Sequence, residues 1–151
     1  MVDVKHFLVL IFLLVGISTF KLSAQYQVNH LRTEGETMTF RVVGYGKNAK
    51  QASADAEINV LKGIIFHGIP NTQQSVPMVR ETEDVSYSQH KKFWDSFWEG
   101  GYKKHITQSV IVRNFGKDEN KQKSIALEVT VNIRALRGEL ERNGVIKKFG
   151  L

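Results

Sequence analysis

FRVVGYGKNAKQASADA (Phe40 to Ala56) carries a strand into a helix through a glycine-bracketed turn, and its reading decides the fold. The strand begins a little upstream. From Thr37 to Val43, Met38, Phe40 and Val42 point one way while Thr39 and Arg41 point the other, the period of two expected of a strand with one buried face. Gly44-Tyr45-Gly46 ends it. Asn48 is placed to cap the first free amides of a helix, and Gln51, three residues on, to reach back in a capping box. Ala49, Ala52, Ala56, Val60 and Ile64 then recur at helical spacing, with Ile58, Leu61 and Ile65 widening the stripe. Small residues lead and large ones follow, so the early turns are expected to lie close against a sheet while the late turns fill a core. His67-Gly68-Ile69-Pro70 terminates this helix, because glycine caps and proline cannot continue it.

Working outward, Ile125, Leu127, Val129, Val131 and Ile133 alternate without a break against Ser124, Ala126, Glu128, Thr130 and Asn132. That pattern predicts a strand with one apolar and one wet face. Ile106 to Phe115 is rich in β-branched residues and is expected to place Ile106, Val110 and Val112 on one side. Only the polar turn GKDENK, Gly116 to Lys121, separates the two, which predicts an antiparallel hairpin. Ala135 to Arg142 is expected to be helical, with Leu136 and Leu140 one turn apart and Asn143-Gly144 as a stop. Asn71 to Tyr87 has the turn residues of a long connection, and Gln89 to Glu99 is expected to form a short helix stopped by Gly100-Gly101. The order strand, helix, short helix, strand, strand, helix implies an α+β two-layer sandwich, a sheet of about three strands with helices on one face.

The N-terminus places the protein. Lys5 and His6 precede an apolar run from Phe7 to Val15, followed by Gly16, Ser18 and Leu22-Ser23-Ala24. This is the layout of a secretory signal peptide, residues 1–24, with cleavage expected after Ala24. The apolar run is about half of the ~20 residues that a bilayer-spanning helix needs, so no transmembrane helix is expected after cleavage. The expected location is periplasmic or extracellular. Residues 25–36 read as a mobile lead-in, and 37–151 as a single domain.

Without Lys5, Lys21 and Asp3, the 21 basic and 15 acidic residues become 19 and 14, a net charge of +5. In an exported protein this favours an anionic glycan or lipid surface, or an acidic envelope protein, as partner. Cysteine is absent. Disulfides, thiol nucleophiles, sulfur-ligated metals and a lipid-bearing cysteine are therefore excluded from this chain.

Catalytic patterns are weak. The histidines at 6, 30, 67, 90 and 105 form no i, i+4 pair, and no compact ligand set with carboxylates, so no metal is expected. There is no G-x-S-x-G serine, and Glu81, Glu83, Asp84, Asp95 and Glu99 show no spacing that selects two of them for glycan cleavage. Gly44-Tyr45-Gly46 lacks the third glycine of a dinucleotide fingerprint and the lysine-serine pair of a phosphate loop. No cofactor is expected. Nucleic acid is excluded as partner by export and by the lack of RNP-like or GXXG elements. One binding candidate stands out: Phe93, Trp94, Phe97, Trp98 and Tyr102, whose rings could stack on sugars or anchor a protein partner. The competing reading docks the short helix through Phe93 and Phe97 and leaves the tryptophans partly exposed.

The stretch Phe40 to Ala56, together with IALEVTVNIRAL (Ile125 to Leu136), resembles the small exported α+β domains of the lipoprotein-20-like group and the N-terminal domain of flagellar assembly protein T. There too a strand ends in G-x-G, an A-x-x-x-A helix follows, and a late hairpin leads to a final helix. The resemblance covers about a quarter of the chain beyond the leader and carries over no functional residue. It implies a non-catalytic envelope protein that supports a surface assembly. A glycan-binding or glycan-active periplasmic protein is the alternative expectation.

Overall fold

A computed structural model describes residues 28–148. The expected leader and its cleavage point lie outside the described residues. An antiparallel four-stranded sheet runs in the order β1-β2-β4-β3, with β1 Val28–Glu34, β2 Thr37–Tyr45, β3 Ile106–Lys117 and β4 Lys123–Asn132. Among the described residues four α-helices accompany it: α1 Ala49–Lys62, α2 Glu83–Gln89, α3 Lys91–Glu99 and α4 Ile133–Arg142. A π-helical turn, Gly63–His67, extends α1, and a 3-10 turn, Gly101–His105, leads from α3 into β3. The α+β class read from the sequence holds.

The core lies between one face of the sheet and the helices. Met38, Phe40 and Val42 of β2 and Ile125, Leu127, Val129 and Val131 of β4 meet Ala52, Ala56, Val60, Leu61, Ile64 and Ile65 there. Leu136 and Leu140 of α4 join the same cluster, both fully buried. Asn48 caps α1 as expected: its Oδ1 accepts from the Gln51 amide at 2.9 Å. Gln51 reaches back one residue further than a capping box requires, accepting from the Lys47 amide at 3.1 Å. The Asp55 carboxylate ties α1 to the strand before it, accepting from the Tyr45 amide at 2.9 Å and the Asn59 side chain at 3.1 Å. Asn132 caps α4 through the Ala135 amide at 2.8 Å.

The structure corrects the sequence reading in four places. Residues 28–34, expected to be part of a mobile lead-in, form β1, so the sheet has four strands rather than about three. Val28 pairs with Val42, His30 with Phe40 and Glu34 with Thr37. This edge strand is held by backbone pairing and buries little, so it leaves no strong alternation in the sequence. Within the expected long connection, Glu83–Gln89 is helical, started by Thr82, whose hydroxyl accepts from the Val85 amide. Along β3 the register shifts between Ile106 and Gln108, between Ile111 and Arg113, and between Arg113 and Gly116. Ile106 consequently pairs with Val131 on the core face and Val110 with Glu128 on the other, so the two do not share a side. Finally, the outer face is polar but not uniformly wet: the Thr39 and Thr130 hydroxyls bond at 2.9 Å and are buried, and the Arg113 guanidinium donates to the buried Ser124 hydroxyl at 2.9 Å. Cross-strand polar pairs shield one another there.

Candidate functional site

The aromatic candidates of the sequence come together, but inside the molecule. Trp94 is fully buried, and Phe97 and Tyr102 are nearly so, while Phe93 and Trp98 are half-buried against them. Trp94 stacks on Trp98 with centroids 5.7 Å apart, meets Phe93 edge-on at 4.8 Å, and packs on Phe66 from the π-helical turn at 5.3 Å. Its indole N–H donates to the Ser86 hydroxyl at 3.1 Å, so even the polar edge is satisfied within the fold. Lys62 Nζ lies 5.7 Å from the Trp98 ring, and the same ammonium pairs with Glu83 at 2.5 Å. The rings singled out as a binding candidate thus fasten α2, α3 and the end of α1 together. The docking reading is corrected as well, since Trp94 rather than Phe93 accompanies Phe97 into the core. Two adjacent aromatic stripes at i, i+1, i+4 and i+5 offer a helix two possible inward faces, and α3 uses Trp94 and Phe97.

Tyr102 turns its hydroxyl toward Glu57 of α1 at 3.4 Å. Burial, reinforced by the neighbouring carboxylate, pushes its phenol up to about 12, so it remains a neutral donor. Three residues on, His105 is 3% exposed and stacks on Phe97. Its Nε2 contacts Glu139 Oε2, and Lys104 Nζ sits 2.6 Å from Glu139 Oε1. Burial drives the imidazole below its ordinary range against the opposing pull of Glu139. Among the described residues His105 Nδ1 has no partner. This clasp joins the 3-10 turn to α4, with His105 and Glu139 buried and Lys104 exposed at its rim. Among the described residues no group of three or more His, Asp or Glu side chains could hold a metal ion.

The exposed apolar surface lies elsewhere, on β3. Val110, Ile111 and Val112 are 42%, 55% and 44% exposed. Their position in the sheet explains it. Helix α1 packs across β2 and β4 and barely reaches β3, so the core face of the edge strand is left open beside it. Ile111 pairs with Leu127, which is 1% exposed, and the two differ only in having the helix overhead. From Ile106 to Val112 the strand carries no charge. The opposite edge is different: β1 carries His30, Arg32 and Glu34, and Arg32 Nε bridges Glu34 at 3.1 Å. Charge guards one edge of the sheet, while the other is interrupted by bulges and is charged only past Val112, at Arg113 and Lys117.

Sequence reasoning missed β3 as a surface because a β-branched run reads equally well as a core strand. The available signal was the charge-free but unalternating SVIV, Ser109 to Val112, beside a β4 whose apolar alternation is complete. Among the described residues no helix is long and apolar enough to cross a membrane. Compared with known proteins, the chain matches no family model, no curated protein and no solved structure.

Proposed function

We propose that this chain is a non-catalytic, exported binding module that docks on an envelope protein by taking an extended segment of it along the β3 edge. The observation that carries the reading is the uncharged edge from Ile106 to Val112 with three exposed branched side chains. A free strand edge offers a row of backbone donors and acceptors that an added strand satisfies, while alternate side chains select the partner. Val110 on the outer face and Ile111 on the helix side would grip such a strand from both sides. The leader-like residues 1–24 and the absence of cysteine support export without a lipid tether. The likeness of Phe40–Ala56 and Ile125–Leu136 to small envelope domains supports an assembly role.

Photo-crosslinking in the native cell tests the docking. A photoreactive residue at Ile111 should give a discrete adduct with an envelope protein, and Val110→Lys should abolish it. The same probe at Val85, which is 43% exposed on α2, should give none. Equal adducts at both sites, or indifference to Val110→Lys, would overturn the proposal. Export is tested separately by intact mass: a chain beginning at Gln25 in the envelope fraction is expected, and a full-length cytosolic species would refute it.

A further inference from the structure

A cleft beside the junction of α2 and α3, on the same helices that the aromatic packing fastens, was signalled by no sequence motif. It has a volume of about 810 Å³ and opens between the segment Met78–Glu81, the junction of α2 and α3 at Gln89 and His90, Arg137 of α4, and the closing segment Gly144–Lys148. The size falls within the range of small-molecule sites.

Its walls have two chemistries. Met78 and Val145 are buried core residues that reach the cleft from below, and Ile146 packs beside them. Around this apolar floor stand Arg80, Arg137, Lys147 and Lys148, against a single carboxylate, Glu81. Six other cations, Arg32, Arg41, Lys62, Lys91, Lys104 and Arg134, each have a carboxylate within 4 Å. Among the described residues the four around the cleft have none, as is also true of dispersed surface cations such as Lys47, Lys50 and Lys121; what sets the four apart is that they line one cleft. Four cations gathered around one carboxylate leave an excess of positive charge, and an anion placed between them relieves their repulsion.

The backbone holds them in place. Gly144 adopts φ of 69°, which reverses the chain after α4. The Val145 and Ile146 amides then both donate to the Leu140 carbonyl, at 2.9 and 3.4 Å. Lys147 and Lys148 are thereby carried back toward Arg137, one turn before Leu140, and toward Arg80 across the cleft.

We infer that this cleft binds a phosphate-bearing amphiphile, its anionic headgroup among Arg80, Arg137, Lys147 and Lys148 and its apolar part over Met78, Val145 and Ile146. Guanidinium groups donate paired hydrogen bonds to phosphate oxygens, and the ammonium groups add point charge. The floor selects against a bare ion. This site shares no residue with the β3 edge, and either proposal can fail without the other.

Calorimetric titration of the purified chain tests it. Dihexanoyl phosphatidic acid, kept below its micelle concentration, is expected to bind at least tenfold more tightly than dihexanoyl phosphatidylcholine and than inorganic phosphate. Arg80→Gln/Lys147→Gln, which alters two exposed side chains, should weaken that binding tenfold or more at unchanged Tm. Lys47→Gln/Lys50→Gln removes the same charge beside α1 and should change it less than twofold. Equal loss in both double variants would reduce the effect to net charge and overturn the site. Inorganic phosphate binding as tightly as the amphiphile would overturn the role of the apolar floor, and equal binding of the zwitterionic lipid would overturn the role of the cations.

Discussion

Gly44 and Ala56 touch across the interface of β2 and α1 so closely that neither can grow. A methyl carbon added at Gly44 would stand 2.7 Å from the Ala56 Cβ, 2.5 Å from the Ala56 nitrogen and 2.0 Å from the Ala52 carbonyl oxygen. Two of these neighbours are backbone, and α1 is tied to the same place by the Asp55 carboxylate on the Tyr45 amide. The helix could yield only by lifting off the sheet. Gly44→Ala should therefore cost about 3 kcal/mol, at or above the upper end of ordinary overpacking. Urea unfolding of the variant checks this, and a loss no larger than that of an exposed alanine substitution would contradict it.

Trp94 is expected to behave as a core residue. Removing its ring by Trp94→Ala should destabilise by roughly 3–5 kcal/mol, the usual range for a buried aromatic. Trp94→Phe keeps most of the packing but leaves the buried Ser86 hydroxyl without its indole donor, and should cost about 1–3 kcal/mol. Thermal unfolding of the two variants gives the order. A Trp94→Ala protein as stable as the parent would restore the ring to the surface role that its sequence context suggested.

These two cases mark what the sequence discloses. β2, α1 and β4 are legible because each has one buried face, so apolar spacing records the geometry directly; the small residues Ala52 and Ala56 even announce the close approach to Gly44. β1 is not legible, since it half-buries only Val28 and His30, is held chiefly by backbone pairing and leaves no apolar period. α2 buries only Ser86, and its EDVSYSQ has no stripe to detect. In β3 a bulge moves Val110 to the face opposite Ile106, which period-two counting assumes cannot happen. The basic cleft is the extreme case: Arg80, Arg137 and Lys147 are far apart in the chain, and only the turn at Gly144 brings the last of them back.

His105 makes stability depend on pH in a definite direction. Burial lowers its folded pKa from the ordinary 6.5, with Lys104 and Arg142 acting the same way and Glu139 acting against them. Above 6.5 both the folded and the unfolded imidazole are neutral, and the group has no effect. As pH falls below 6.5 the unfolded chain takes up a proton first, so stability present at neutral pH is lost progressively toward the folded pKa. Tm of the parent should drop as pH falls from about 6.5 to about 5.5, a window that ends above the ordinary carboxylate range. His105→Gln should flatten that slope while lowering Tm at neutral pH, because the Glu139 contact and the Phe97 stack are disturbed. A slope unchanged in the variant would assign the dependence to other groups.

Ile111 and Leu127 are cross-strand partners of nearly equal volume, yet substitutions at them should have opposite consequences. Ile111 is 55% exposed and Leu127 is 1% exposed, because α1 covers one strand and stops short of the other. Leu127→Ala leaves a hole beneath the helix and should cost roughly 2–5 kcal/mol. Ile111→Lys removes little buried surface and places its ammonium in water, so it should change stability by no more than about 0.5 kcal/mol. The same lysine guards an otherwise open strand edge and should raise the concentration at which the protein stays monomeric in light scattering. Comparable destabilisation at both positions would mean that β3 is covered in solution, and the edge would then no longer be free to take a partner strand.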